Sequence, residues 1–145
     1  MAQIQIHLHN KEINSLAGQT LVVFSKANAD KTKSAKITHA DTAKALESAL
    51  EDKLITGAAS EVISFREARF LGFRNVISVG LGADSKLNAE VVRQAAGSLC
   101  KEIGALKTTE VFVHLDGATG NKKVLAEYTQ ALVEGLQLTG YAFDE

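Results

Sequence analysis

The residues of this sequence whose types suit chemistry are four histidines, one cysteine, a glycine pair and a few clusters of like charge. His7 and His9 alternate along an apolar-polar run and would share one face of a strand, a geometry open to two metal ligands. No acid or thiol stands near them at ligand spacing, so solvent-facing strand positions are the expected reading. His114 lies in a further strand, EVFVH, as a half-buried residue, and His39 stands without a partner pattern. Cys100 adjoins Leu99 on a helical stripe and reads as a small buried hydrophobe; a nucleophile would need a histidine partner and an electropositive setting. Gly80-Leu81-Gly82 follows the β-branched run Val76-Ile77-Ser78-Val79, and backbone amides at such a turn can cradle a phosphate. The third glycine of a dinucleotide pattern is missing, with Ser85 in its place, and no Gly-Lys-Ser/Thr is present. A glycine turn without a ligand is the expectation. Glu47, Glu51 and Asp52 fit a solvated helix face. Lys26, Lys31, Lys33 and Lys36 stand against Asp30 in a solvated loop. An anion or nucleic-acid patch there would lack arginine and aromatic partners. No G-x-S-x-G nucleophile turn occurs. The residues by themselves therefore assign no catalytic, cofactor-binding or metal site.

The elements that would position these groups follow from periodicity. Gln3 to Leu8 alternates as a half-buried strand, expected at a sheet edge. Leu21-Val22-Val23-Phe24 is apolar throughout and fits a central strand covered on both faces. Thr38 to Leu54 is expected as one helix, with Thr38 and Asp41 as a capping box and Ala43, Leu46, Leu50 and Leu54 as its stripe. Val62 to Phe65 is a further strand, and Phe70 to Phe73 turns into the strand at Val76. Asn88 is the expected N-cap of a long helix, with Glu90 in its first turn and Leu87 and Val92 as a hydrophobic staple. Val92, Ala96, Leu99, Ile103 and Leu106 recur at helical spacing. Glu110 to Leu115 is the next strand, with a loop at Asp116, Gly117 and Gly120. Lys122 to Thr139 is the last helix, buried through Val124, Leu125, Tyr128, Leu132 and Leu136. The expected fold class is α/β: a mixed β-sheet of about five or six strands flanked by helices.

Composition narrows the function classes. A net charge of −1, from 16 basic and 17 acidic side chains, argues against general nucleic-acid affinity, which rests on clustered positive charge. A single cysteine excludes an internal disulfide and points to a reducing, cytoplasmic compartment. No apolar run reaches membrane-spanning length, and the first residues lack the pattern of a signal peptide. At 145 residues one domain over 1–145 is expected.

Several of these segments, in order, resemble the amino-terminal domain of the leucyl aminopeptidase family, the two-metal cytosol aminopeptidases. They are the apolar strand Leu21 to Phe24, the run Val76 to Gly82, and the helix opening Leu87-Asn88-Ala89-Glu90 with Arg93-Gln94-Ala95-Ala96-Gly97. The most specific is Ala131-Leu132-Val133-Glu134-Gly135-Leu136-Gln137-Leu138 followed by Tyr141-Ala142-Phe143-Asp144. The resemblance implies a macro-domain-like fold and a non-catalytic domain that assists oligomer assembly and access to the active site. It implies a separate carboxy-terminal catalytic domain holding two divalent metals, zinc or manganese. The Asn-Thr-Asp-Ala-Glu-Gly-Arg signature of that domain does not occur in these residues. The implied partners are that catalytic domain and sister subunits in a homo-hexamer, with no membrane and no nucleic acid. Tyr141 and Phe143 would then pack towards the catalytic domain. A stand-alone macro-like module binding ADP-ribose or a related nucleotide at Gly80 to Ser85 is the alternative. Nucleic-acid binding through the lysine loop ranks third.

Overall fold

Val22 and Phe24 are buried on one face of a strand and Leu21 and Val23 on the other, which is why that run is apolar without interruption. In the computed structural model it forms the middle of β2 (Gly18–Ala27). The structure describes residues 5–9, 18–28, 30, 33–38, 40–66, 73–106, 110–115, 121–137 and 142–144. Around β2 stand β1 (Gln5–His9), β3 (Lys36–Ile37), β4 (Val62–Phe65), β5 (Phe73–Ala83), β6 (Glu110–His114) and β7 (Ala142–Asp144). The helices are α1 (Ala40–Ala45), α2 (Glu47–Glu51), α3 (Ala89–Leu106) and α4 (Lys122–Gln137).

Among the described residues six strands lie in the order β4-β5-β2-β6-β1-β7, and β3 pairs with β2 beside that path. The β5-β2, β2-β6, β6-β1 and β1-β7 pairs are parallel. β4 runs antiparallel to β5, and β3 antiparallel to β2. The sheet is therefore mixed, as expected from the sequence. β1, expected at an edge, lies inside instead, between β6 and β7. Alternation reports that one face of a strand is covered; it does not report how many of its edges are paired.

Two apolar layers sandwich the sheet. On one side Val22, Phe24, Ile77, Val79, Leu81, Val111 and Val113 pack under α3 and α4. On the other, Leu21, Val23, Phe73, Val76 and Phe112 pack with α2, β3 and Ile55. The expected α3 stripe holds: Val92, Ala96, Leu99 and Ile103 are buried, and Leu106 packs on the same layer. Asn88 caps the helix, its Oδ1 accepting from the Val91 amide at 3.0 Å. Asn121 caps α4 in the same manner, accepting from Lys123 and Val124 at 3.0 and 3.3 Å. The helix is described from Lys122 to Gln137, and its expected continuation to Thr139 lies outside the described residues.

The Thr38 to Leu54 segment departs from expectation. It is two short helices broken at Leu46, whose φ of −103° and ψ of 19° leave the helical range. The capping box does not form. The Thr38 amide instead continues the sheet by donating to the Phe24 carbonyl at 2.9 Å. Lys53 then takes a φ of +60°, and this left-handed turn swings Leu54 out, 61% exposed, while Ile55 enters the core.

Candidate functional site

The Gly80-Leu81-Gly82 turn expected from the sequence is not a turn. The run belongs to β5, which continues to Ala83 before a 3-10 turn over Asp84–Lys86. A segment distant in the sequence extends the strand. The Gly80 amide donates to the Glu61 carbonyl at 2.7 Å, and the Gly82 amide donates to the Gly57 carbonyl at 2.8 Å. The Ser60 amide donates to the Gly80 carbonyl at 2.9 Å. The Gly80 and Gly82 amides are thus already bonded.

This contact explains the glycines. A Cβ on Gly80 would lie 1.9 Å from the Ala58 carbonyl oxygen, and Gly82 holds a φ of +79°. Backbone meets backbone at the first position, and the left-handed conformation favours glycine at the second. The N-terminus of α3 holds its own cap and the Glu90 carboxylate, and the neighbouring Lys26 is paired with Asp84.

The covering loop is held by one side chain that sequence reading missed, Glu61. Its carboxylate accepts from the Thr56 amide at 2.9 Å and from the Gly57 amide at 3.1 Å. The Thr56 hydroxyl donates to its other oxygen. No local motif signals this role: the acid is recognisable only once the chain has folded back over β5.

On the far side of the loop, beyond the C-terminal end of β2, lies a cleft of about 370 Å³. Open α/β sheets commonly place ligands outside the carboxyl ends of parallel strands. Two loops form it, one following β2 and contributing Lys33, the other following α2 and contributing Lys53. Lys26, near the end of β2, turns elsewhere: its Nζ bonds the Asp84 carboxylate at 2.7 Å. That hydrogen bond, with the charge behind it, holds the Asp84 carboxyl below its ordinary pKa. Tyr128 on α4 donates to the Leu87 carbonyl at 3.3 Å. Its phenol is pushed up chiefly by burial, then by the charges of Asp84 and Glu127.

The other candidate groups do not converge. Cys100 is buried in the α3 layer. His114 is buried on β6. His7 and His9 lie on β1 with their side chains outside what is described, as His39, Lys31 and Tyr141 are altogether. Phe143 lies in β7, whose backbone pairs with β1. Glu47, Glu51 and Asp52 are exposed on and just after α2, as expected. Among the described residues no three His, Cys, Asp or Glu side chains come together as a metal site, so these residues do not fit the two divalent metals that the resemblance implies.

Two of the segments that carried the resemblance, those of Arg93–Ala96 and Glu134–Gly135, meet at the seam between α3 and α4. Arg93 pairs with Glu90 in its own helix and reaches Glu134 of α4 at 3.5 Å. Gly135 lies against Ala96 and the Arg93 backbone so closely that a Cβ there would sit 2.7 Å from the Ala96 methyl.

Comparison with solved structures defines the class of fold. The chain superposes on the macrodomain of Mycobacterium tuberculosis DarG with a TM-score of 0.66 at 14% identity, over 97% of each chain. It also superposes on the bottromycin maturation enzyme BotP with a TM-score of 0.58 at 20% identity, over 89% of this chain and 24% of that one. The fold is macro-like. Residues 21–145 match the model of the cytosol aminopeptidase family, N-terminal domain. A probable cytosol aminopeptidase of Bdellovibrio bacteriovorus is 48% identical over 139 residues, which are 96% of this chain and 28% of that relative. The chain belongs to the cytosol aminopeptidase family and corresponds to its N-terminal domain.

Proposed function

We propose that this chain is one non-catalytic domain of a two-metal aminopeptidase that removes N-terminal residues from peptides in the cytoplasm. In that enzyme it assists the assembly of subunits into a homo-hexamer and shapes access to the catalytic domain. The observation that carries the reading is the match over 96% of this chain to only 28% of a cytosol aminopeptidase. The two metals, zinc or manganese, would be held by the remaining part of such an enzyme, where they would activate a water for amide hydrolysis. The near-neutral charge supports the absence of a nucleic-acid partner.

The test compares the full-length enzyme with a form lacking residues 1–145. Light scattering after size exclusion should show a smaller assembly for the shortened form, with altered kcat/KM on peptides of increasing length. A shortened form that assembles and cleaves peptides of every length as the whole enzyme does would overturn the proposal.

The macro-like fold favours a second reading, ADP-ribose binding at Gly80 to Ser85. The bonds from the Gly80 and Gly82 amides to the 57–61 loop count against it. Calorimetric titration with ADP-ribose should give no heat, and a saturable heat lost in Gly82→Glu would restore that reading.

A further inference from the structure

Among the described side chains the metal-ligating types do not gather, but the strands that carry four of them do. β1 lies between β6 and β7 and runs parallel to both. His9 stands in register with His114 of β6, and His7 with Asp144 of β7. Positions in register occupy one face of a sheet, as do positions two apart along a strand. His7, His9, His114 and Asp144 therefore share a face over three adjacent strands. The sequence offers no acid at ligand spacing from His7 and His9; the sheet brings one from far along the chain. β6 ends at His114, so the group stands level with the carboxyl end of a parallel strand, where open α/β sheets commonly place ligands.

We propose that these four positions form a site for one divalent transition-metal ion of the zinc type. Three imidazoles and a carboxylate supply the four nitrogen and oxygen donors that zinc takes. Neighbouring strands lie about 4.8 Å apart, and alternate residues of one strand about 6.6 Å, spacings that side chains of this length span to one ion. His114 is buried, and its Nδ1 carries no hydrogen bond. His114 also has an interaction of its own, which ligation does not exclude: a metal-bound imidazole is ordinarily held by the protein through its other nitrogen. Phe112, two residues earlier on the same face, belongs to the apolar layer, and a low dielectric beside the ion strengthens its attraction for a carboxylate. Magnesium and calcium favour oxygen donors throughout, so this set disfavours them.

The experiment titrates the chelator-treated 145-residue chain with zinc chloride and with magnesium chloride, by calorimetry and by the imidazole signals in NMR. Zinc should bind saturably, one ion per chain, and shift the signals of His7, His9 and His114 together. Magnesium should bind at least about tenfold more weakly, a difference of ~1.4 kcal/mol or more. His7→Gln, His9→Gln and Asp144→Asn should each weaken zinc binding by about tenfold or more. The proposal is overturned if zinc leaves the three imidazole signals in place, or if magnesium binds as tightly. It is equally overturned if zinc moves His7 and His9 without His114, which would mark a simple pair on one strand, or if the three variants bind zinc as the parent does. The titration of the unaltered chain decides the matter even where a variant does not fold.

Discussion

Gly135 of α4 and Ala96 of α3 meet so closely that a methyl group on Gly135 would lie 2.7 Å from the Ala96 methyl and 2.7 Å from the Arg93 carbonyl oxygen. The glycine is required by this crossing of two helices and not by any unusual backbone angle. Gly135→Ala should destabilise the fold by about 1–3 kcal/mol, the usual cost of overpacking a core. Urea unfolding with an unchanged m-value would measure it. Adding Ala96→Gly should recover part of the loss, because it removes the side-chain clash and leaves the one with the Arg93 carbonyl. The resulting coupling would be read from a double-mutant cycle.

Gly80 and Gly82 should respond to alanine unequally. At Gly80 the added Cβ meets the Ala58 carbonyl at 1.9 Å, and nothing short of moving the loop relieves it. At Gly82 the nearest atom is 3.3 Å away and the cost is the left-handed φ of +79°, about 1–2 kcal/mol for a non-glycine residue. Gly80→Ala should therefore be the more damaging, by roughly 1 kcal/mol or more. Equal thermal shifts for the two variants would contradict this account of the loop.

Glu61→Ala removes the acceptor of three hydrogen bonds in the Thr56–Gly57 segment. A loss of about 1–3 kcal/mol is expected, since two backbone amides are left without their carboxylate partner. Hydrogen exchange should speed up at Thr56, Gly57 and Gly82 while Val22 and Val23 keep their protection, as expected of local opening.

The Lys26–Asp84 pair predicts a small acid-side effect. The folded carboxyl titrates below its unfolded value, so its contribution is present above about pH 4 and is lost as pH falls through the lowered value. Asp84 is 78% exposed at its side chain, which limits the contribution to less than ~1 kcal/mol. Asp84→Asn should flatten stability against pH in that range, and about 0.5 M salt should shrink the difference between variant and parent.

What could be read from the sequence depended on whether the deciding contacts were local. The cap at Asn88 and the stripe of α3 are set within a few residues, and both appear where the pattern placed them, with Leu87 packed on the layer that holds Val92. The buried run of β2 was legible because both of its faces are covered. The Gly80–Gly82 segment misled because a loop from residues 57–61, too far away to enter any periodicity, converts a turn into strand. The left-handed turn at Lys53, which puts Ile55 and not Leu54 into the core, falls at a residue type that does not signal it. The cleft draws its two lysines from separate loops, so no single stretch of sequence announces it. Gly135 was conspicuous as part of a family pattern, and its physical reason lies in a partner helix.

The position of β1 between β6 and β7 sets an order of assembly. β5 can pair with β2 and β4 once residues up to Ala83 have been synthesised, but among the described residues Gln5 is paired with Glu110 and Ala142. During synthesis β1 leaves the ribosome first and is paired last, with both of its hydrogen-bonding edges open in the meantime. Late closure of such distant pairings slows folding. An unpaired strand also recruits other chains, so the interval before β6 emerges is when the nascent chain is most exposed to association with its neighbours.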